Sequence, residues 1–164
     1  EGVARGFKIV DTKYYSDGSV DVVVQMPLDK VLTDALVPKP KKRAKLNTKG
    51  PKTFTGLIVN AKKLGIQPSM APRIVDEDGN EVYGTAVVSD KALEQGGLAT
   101  YLKGVDSAKG DKRVGDRPLV VKALSLAEGQ KTDVVIANID AEKLTGKDTN
   151  LSFLTNGNVI FVVD

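Results

Sequence analysis

Phe7-Lys8-Ile9-Val10-Asp11-Thr12-Lys13-Tyr14-Tyr15-Ser16-Asp17-Gly18-Ser19-Val20-Asp21-Val22-Val23-Val24-Gln25-Met26 holds two apolar-rich runs around an Asp-Gly pair. Successive side chains of a strand alternate between its faces, so Val20, Val22, Val24 and Met26 fall on one side and Asp21 and Gln25 on the other. Asp17-Gly18 supplies positive φ at little cost, which makes the stretch a β-hairpin. Pro27 closes its second strand. Tyr14 and Tyr15 are adjacent on the first strand and must point to opposite faces, one of them available as a contact residue.

The same grammar repeats outward from this hairpin. Arg73 to Tyr83 reads as a second hairpin around Asp78-Gly79, and Leu119 to Leu126 with Asp133 to Asn138 as a third across a turn-like Ala127 to Thr132. Thr55 to Ala61 is a strand, and Asn158 to Val163 is a continuous apolar run suited to a buried strand, so the chain ends inside the sheet. Asp90 can cap a helix through Leu93, Leu98 and Leu102, made irregular by Gly96-Gly97. Val105 to Arg117 reads as a loop, and Asp140 as the cap of a short helix toward Leu144. The expected fold is α+β: a β-rich single domain over 1–164 of mostly antiparallel hairpins with one or two short helices.

Composition agrees. At 164 residues the chain can bury roughly 70% of the surface it exposes when unfolded. Aromatic residues make up 5% and Trp is absent, so the core must be built from Val, Ile and Leu, whose branching favours strands. Cys and His are both absent, which removes thiolate nucleophiles, disulfides, the common zinc sites and the usual general base near neutral pH. No nucleotide-binding or hydrolase motif occurs, so the sequence is read as that of a non-enzyme, with no catalytic residue, no metal ligand and no cofactor. No apolar stretch reaches the roughly 20 residues of a membrane span. The chain opens at Glu1 without a leader, so any targeting segment is expected to have been removed already.

Charge is distributed unevenly. The window 38–53 holds seven basic residues (Lys39, Lys41, Lys42, Arg43, Lys45, Lys49 and Lys52) and no acidic one, and is read as an exposed basic loop. The rest of the chain carries 17 basic and 21 acidic residues, a formal charge of −4. The loop suits an acidic partner or anionic surface. Phe54 is the one aromatic beside it, which is too few for base stacking, so nucleic acid is disfavoured. The acidic run Asp76-Glu77-Asp78-Gly79-Asn80-Glu81 lacks calcium-loop spacing and reads as a solvated turn. Asn150-Leu151-Ser152 matches a glycosylation sequon of the kind that short sequences produce by chance.

Gly6 to Val22 followed by Met26-Pro27-Leu28, together with Thr55-Gly56-Leu57-Ile58-Val59, Ala71-Pro72-Arg73-Ile74-Val75-Asp76-Glu77-Asp78-Gly79 and Val159-Ile160-Phe161-Val162-Val163-Asp164, resembles the bacterial envelope lipoprotein family related to flagellar FlgP and FlgT-like proteins. The lipid-bearing cysteine and the helical first half of that family's domain are missing, so the likeness is to an N-terminally shortened member. The resemblance implies a periplasmic, outer-membrane-associated or extracellular protein that assembles into rings, disks or filaments.

The expected function is thus a non-catalytic structural subunit of the cell envelope or exterior, flagellum-associated or fibre-like. Its principal partner is itself, with other envelope proteins or an acidic surface beside it. Phe7 to Tyr15 and Asn158 to Val163 are the expected contact strands. The alternative is a periplasmic adaptor whose basic loop, Lys39 to Lys52, engages an acidic partner. The expected contact side chains are the seven basic residues of the loop with Tyr14 and Tyr15.

Overall fold

A computed structural model describes residues 8–25, 37–38, 40 and 42–164. The chain divides into two compact units, 1–37 and 38–164. The reading of one domain over 1–164 had placed only the start of a loop at this boundary.

Unit one contains the expected hairpin. Strands β1 (Lys8–Tyr14) and β2 (Val20–Gln25) pair antiparallel around the Asp17-Gly18 turn, where Gly18 has φ of +85°. The Asp17 carboxylate accepts from both the amide and the hydroxyl of Ser19. These bonds, the hydroxyl's foremost, hold its pKa below the ordinary aspartate value.

Unit two is an α+β, β-rich domain. Its strands are β3 (Gly56–Asn60), β4 (Ile74–Val75), β5 (Glu81–Tyr83), β6 (Thr100–Lys103), β7 (Pro118–Leu126), β8 (Val134–Ile136) and β9 (Val159–Val163). They form one sheet in the order β5-β4-β8-β7-β3-β9-β6. The hairpins β4–β5 and β7–β8 appear as expected. The sheet as a whole is mixed rather than mostly antiparallel, because β3 pairs parallel with β7 and β9, β6 with β9, and β4 with β8. Parallel neighbours need long crossovers, and these carry the helices. Among the described residues these are α1 (Asp90–Gly96), α2 (Val105–Lys109), α3 (Asn138–Thr145) and α4 (Ser152–Thr155).

The core sits on β3 and β9. Leu57, Ile58, Val59 and Val159 through Val162 are fully buried, so both faces of the sheet are covered here. On one face Ile58, Ile160 and Val162 pack with Ala108 and Val114, and with Leu102 and Val105 at the rim. On the other, Phe161 stacks on Tyr101 at a centroid distance of 5.4 Å. Asn158 to Val163 therefore ends the chain inside the sheet, as its apolar run indicated, and it cannot serve as a contact edge: β3 occupies one side of its ladder and β6 the other.

Glycines and one carboxylate decide the remaining boundaries. The helix opening at Ser89, whose hydroxyl caps the Ala92 amide, stops at Gly97 with φ of +65°, and the chain turns into β6, where a continuing helix was expected. Conversely, Val105 to Lys109 is a short helix where a loop was expected. Asp133, buried, accepts from the Arg73 amide at 3.1 Å and from Arg73 Nε at 2.7 Å, tying β8 to β4. A Cβ at Gly56 would lie 2.5 Å from Val114 Cα, so only glycine lets the segment 111–115 cross the start of β3. Gly56→Ala should therefore lower the free energy of unfolding by about 2 kcal/mol, measured by urea denaturation, while Gly110→Ala, at φ of −84° and with nothing closer than 3.8 Å to the added Cβ, should cost less than half of that.

Candidate functional site

The hairpin is amphipathic. Its register sets Ile9 opposite Val24, Thr12 opposite Val22 and Tyr14 opposite Val20 on one face. Lys8 opposite Gln25, Asp11 opposite Val23 and Lys13 opposite Asp21 form the other, with a bulge at Val10 between the two halves of β1. The apolar face is open: Val24 is 52% exposed, Ile9 56% and Tyr14 80%. Tyr15 points to the charged face, as alternation required, and its hydroxyl donates to the Asp21 carboxylate at 2.8 Å. That bond, ahead of slight desolvation, raises the phenol's pKa above its ordinary value. β1 and β2 pair only with each other, so both outer edges are unpaired among the described residues.

The basic segment keeps its cations outward while its backbone is tied down. Lys42, Lys45, Lys49 and Lys52 are exposed; Lys39 and Lys41 lie outside the described residues. Arg43 is half-buried, donating to the Thr85 carbonyl at 2.9 Å, to the Val88 carbonyl and to the Asp90 carboxylate. Its charge is thus committed within unit two, unlike the free contact role expected of it. The Ala44 amide donates to Ala86 O, and Leu151 N to Asn47 O at 2.7 Å. The Asn47 side chain donates to Lys147 O, and Asn150 Nδ2 donates to Gly50 O at 2.7 Å. Asn150 is buried in making that bond, which leaves the sequon asparagine inaccessible. The expected exposed loop is a strap with exposed lysines.

The acidic turn has a structural use. Asp76 accepts from the Asp78 and Asn80 amides at 3.0 and 2.8 Å and from Asn80 Nδ2 at 3.0 Å. The Asn80 side chain is the main cause holding the Asp76 carboxyl below its ordinary 3.8. Glu77 accepts from the Asn138 amide at 2.9 Å, and Asp78 from Asn138 Nδ2 at 3.0 Å. These carboxylates, not Asp140, serve the start of α3; Asp140 lies within the helix and pairs with Lys143 at 2.7 Å. Among the described residues no three acidic side chains are grouped so that they could hold a metal ion.

Arg113 was not singled out by sequence, and nothing distinguishes it there. Half-buried, it donates to the carbonyls of Gly157 at 2.7 Å, Gly96 at 2.7 Å and Gly97 at 2.8 Å, and to Thr100 Oγ1 at 3.1 Å. Desolvation lowers its pKa, with Tyr83 and Asp111 opposing. It pins two glycine turns at the start of β6 and β9 and forms one wall of a polar groove of about 420 Å³ with Lys91, Gln95 and Asn158. Tyr83 behind it donates to Leu98 O at 2.6 Å, and burial pushes its phenol far above the ordinary range.

A family model described as the second domain of Treponema pallidum Tp0624 matches residues 56–164. The chain belongs to that family. The match begins at β3 and takes in the whole seven-stranded sheet, while the hairpin and the basic strap precede it. No curated protein matches the chain. Among the described residues no helix is long and apolar enough to cross a membrane.

Two outcomes follow from this geometry. Arg43→Ala removes charge-assisted bonds and should raise the rate of tryptic cleavage at Lys45 by about tenfold, whereas Lys42→Ala leaves it unchanged. For Asp76, whose folded pKa is depressed, the stabilisation is present above the ordinary value of 3.8 and is lost as pH falls through the lower folded value. The Asn80 amide resonance should be constant above about pH 5 and shift only below 3.8.

Proposed function

We propose that this protein is a non-catalytic structural subunit of the bacterial cell envelope or exterior that assembles with copies of itself into a ring, disk or filament. One observation carries the reading: among the described residues the β1–β2 hairpin offers an open apolar face and two unpaired edges. A two-stranded hairpin is at best marginally stable in water, and an exposed apolar face of this kind recruits a partner. The domain's own sheet does not compete for that role. Its edge strands β5 and β6 are three and four residues long, and β6 ends in Lys103, the short and charged form that resists strand addition.

The lack of His and Cys supports a role without catalysis, since the usual neutral-pH base and thiolate nucleophile are absent. The flagellar FlgP and FlgT-like resemblance, which extends to the hairpin, supports an envelope location and a repeating assembly. The four exposed lysines of the strap favour other envelope proteins or an acidic surface as secondary contacts.

Light scattering on purified chain, with negative-stain electron microscopy of the same sample, tests the reading. Large regular particles are expected. Val22→Asp and Val24→Asp place carboxylates on the apolar face and should reduce the particles to 17.5 kDa chains while the domain's cooperative unfolding is retained. A wild-type chain that stays at 17.5 kDa at high concentration sinks the proposal.

A further inference from the structure

We infer that neighbouring copies join edge to edge through the hairpin, β2 of one chain pairing antiparallel with β1 of the next. This rests on the assembly reading above and names its contact. Within one hairpin the register already sets Lys13 beside Asp21, Lys8 beside Gln25 and Asp11 beside Val23. Repeating that register on the outer edge gives every Lys13 a second Asp21, from the next copy, and brings no like charges together. A symmetric pairing of β1 on β1, centred on the strand, instead sets Asp11 opposite the partner's Asp11 and Lys13 opposite Ile9. Charge therefore selects the head-to-tail arrangement, which makes a ring when its rotation closes and a filament when it does not.

The same register keeps Ile9, Tyr14, Val20, Val22 and Val24 of every copy on one side of the growing ribbon. Closure with that side inward buries each apolar face against the faces of other copies and leaves no strand edge open. The bulge at Val10 falls outside the half of β1 that carries Lys13, so pairing over 11–14 is undisturbed. The occupant of this surface is a second copy of the chain.

The absence of cysteine makes the contact testable by crosslinking. Lys13→Cys and Asp21→Cys chains are prepared separately, mixed without lipid or detergent, and oxidised; Cα atoms of paired strand residues lie within disulfide reach. The inference expects a mixed dimer from the two together and none from either alone. Self-crosslinking of an Asp11→Cys chain, whose position meets itself only in the centred pairing of β1 on β1, overturns it in favour of symmetric pairing. Crosslinks that need added phosphatidylethanolamine and phosphatidylglycerol vesicles overturn it in favour of a lipid-covered face. Particles in light scattering without any crosslink overturn edge pairing and leave self-assembly standing, whereas no particles at all remove both.

Charge exchange gives a second readout. Lys13→Asp and Asp21→Lys should each raise the concentration at which assembly sets in by about fivefold. In their mixture every edge between unlike variants again sets opposite charges side by side, and the threshold should return to within about twofold of wild type. A mixture no better than either variant alone contradicts the pairing.

Discussion

The β1–β2 pair, with one apolar face and two edges unpaired among the described residues, cannot satisfy itself in water, and the proposed assembly rests on that constraint. Backbone amides at an unpaired edge bond either to water or to another strand, and a face carrying Ile9, Tyr14, Val20, Val22 and Val24 gains from any cover. The opposite face, with Lys8, Asp11, Lys13 and Asp21, is comfortable in water. The family match begins at Gly56, so the ribbon lies outside the matched residues.

The matched domain, in contrast, is finished. Its most fully buried strands, β3 and β9, lie inside the sheet with both faces covered, and its edges are short. The polar groups that helices and turns leave over are taken up internally: Arg113 by three glycine-turn carbonyls and Thr100, Asp133 by Arg73, and Glu77 with Asp78 by Asn138. The strap 42–53 is secured by Arg43, Asn47 and Asn150, so its lysines project from a held backbone, which lowers the entropic cost of any contact they make.

Much of this was legible from local chemistry. Asp17-Gly18 and Asp78-Gly79 marked hairpins because the turn requirement lies within a few residues of sequence, and the valine run before Asp164 marked a strand buried on both faces. The β-rich α+β class followed. Parallel pairing did not, because β3 meets β7 and β9 across about 60 and 100 residues and no short-range signal encodes which buried strands become neighbours. Thr100 to Lys103 read as helix from apolar spacing alone, while the positive φ of Gly97 ended the helix first. For the candidate site, the alternation of β2 showed the apolar face directly. The commitment of Arg43 to Asp90 was not visible, since it spans 47 residues and joins a loop to a helix start.

Hydrogen exchange across β1 and β2 addresses the central claim most directly, because an edge amide is protected only when a neighbouring strand accepts its bond. The assembly account predicts that amides between Lys8 and Gln25 exchange slowly at high protein concentration and rapidly on dilution, while those of β3 and β9 stay protected throughout. Protection in the hairpin that is independent of concentration, or absent at every concentration, would contradict it.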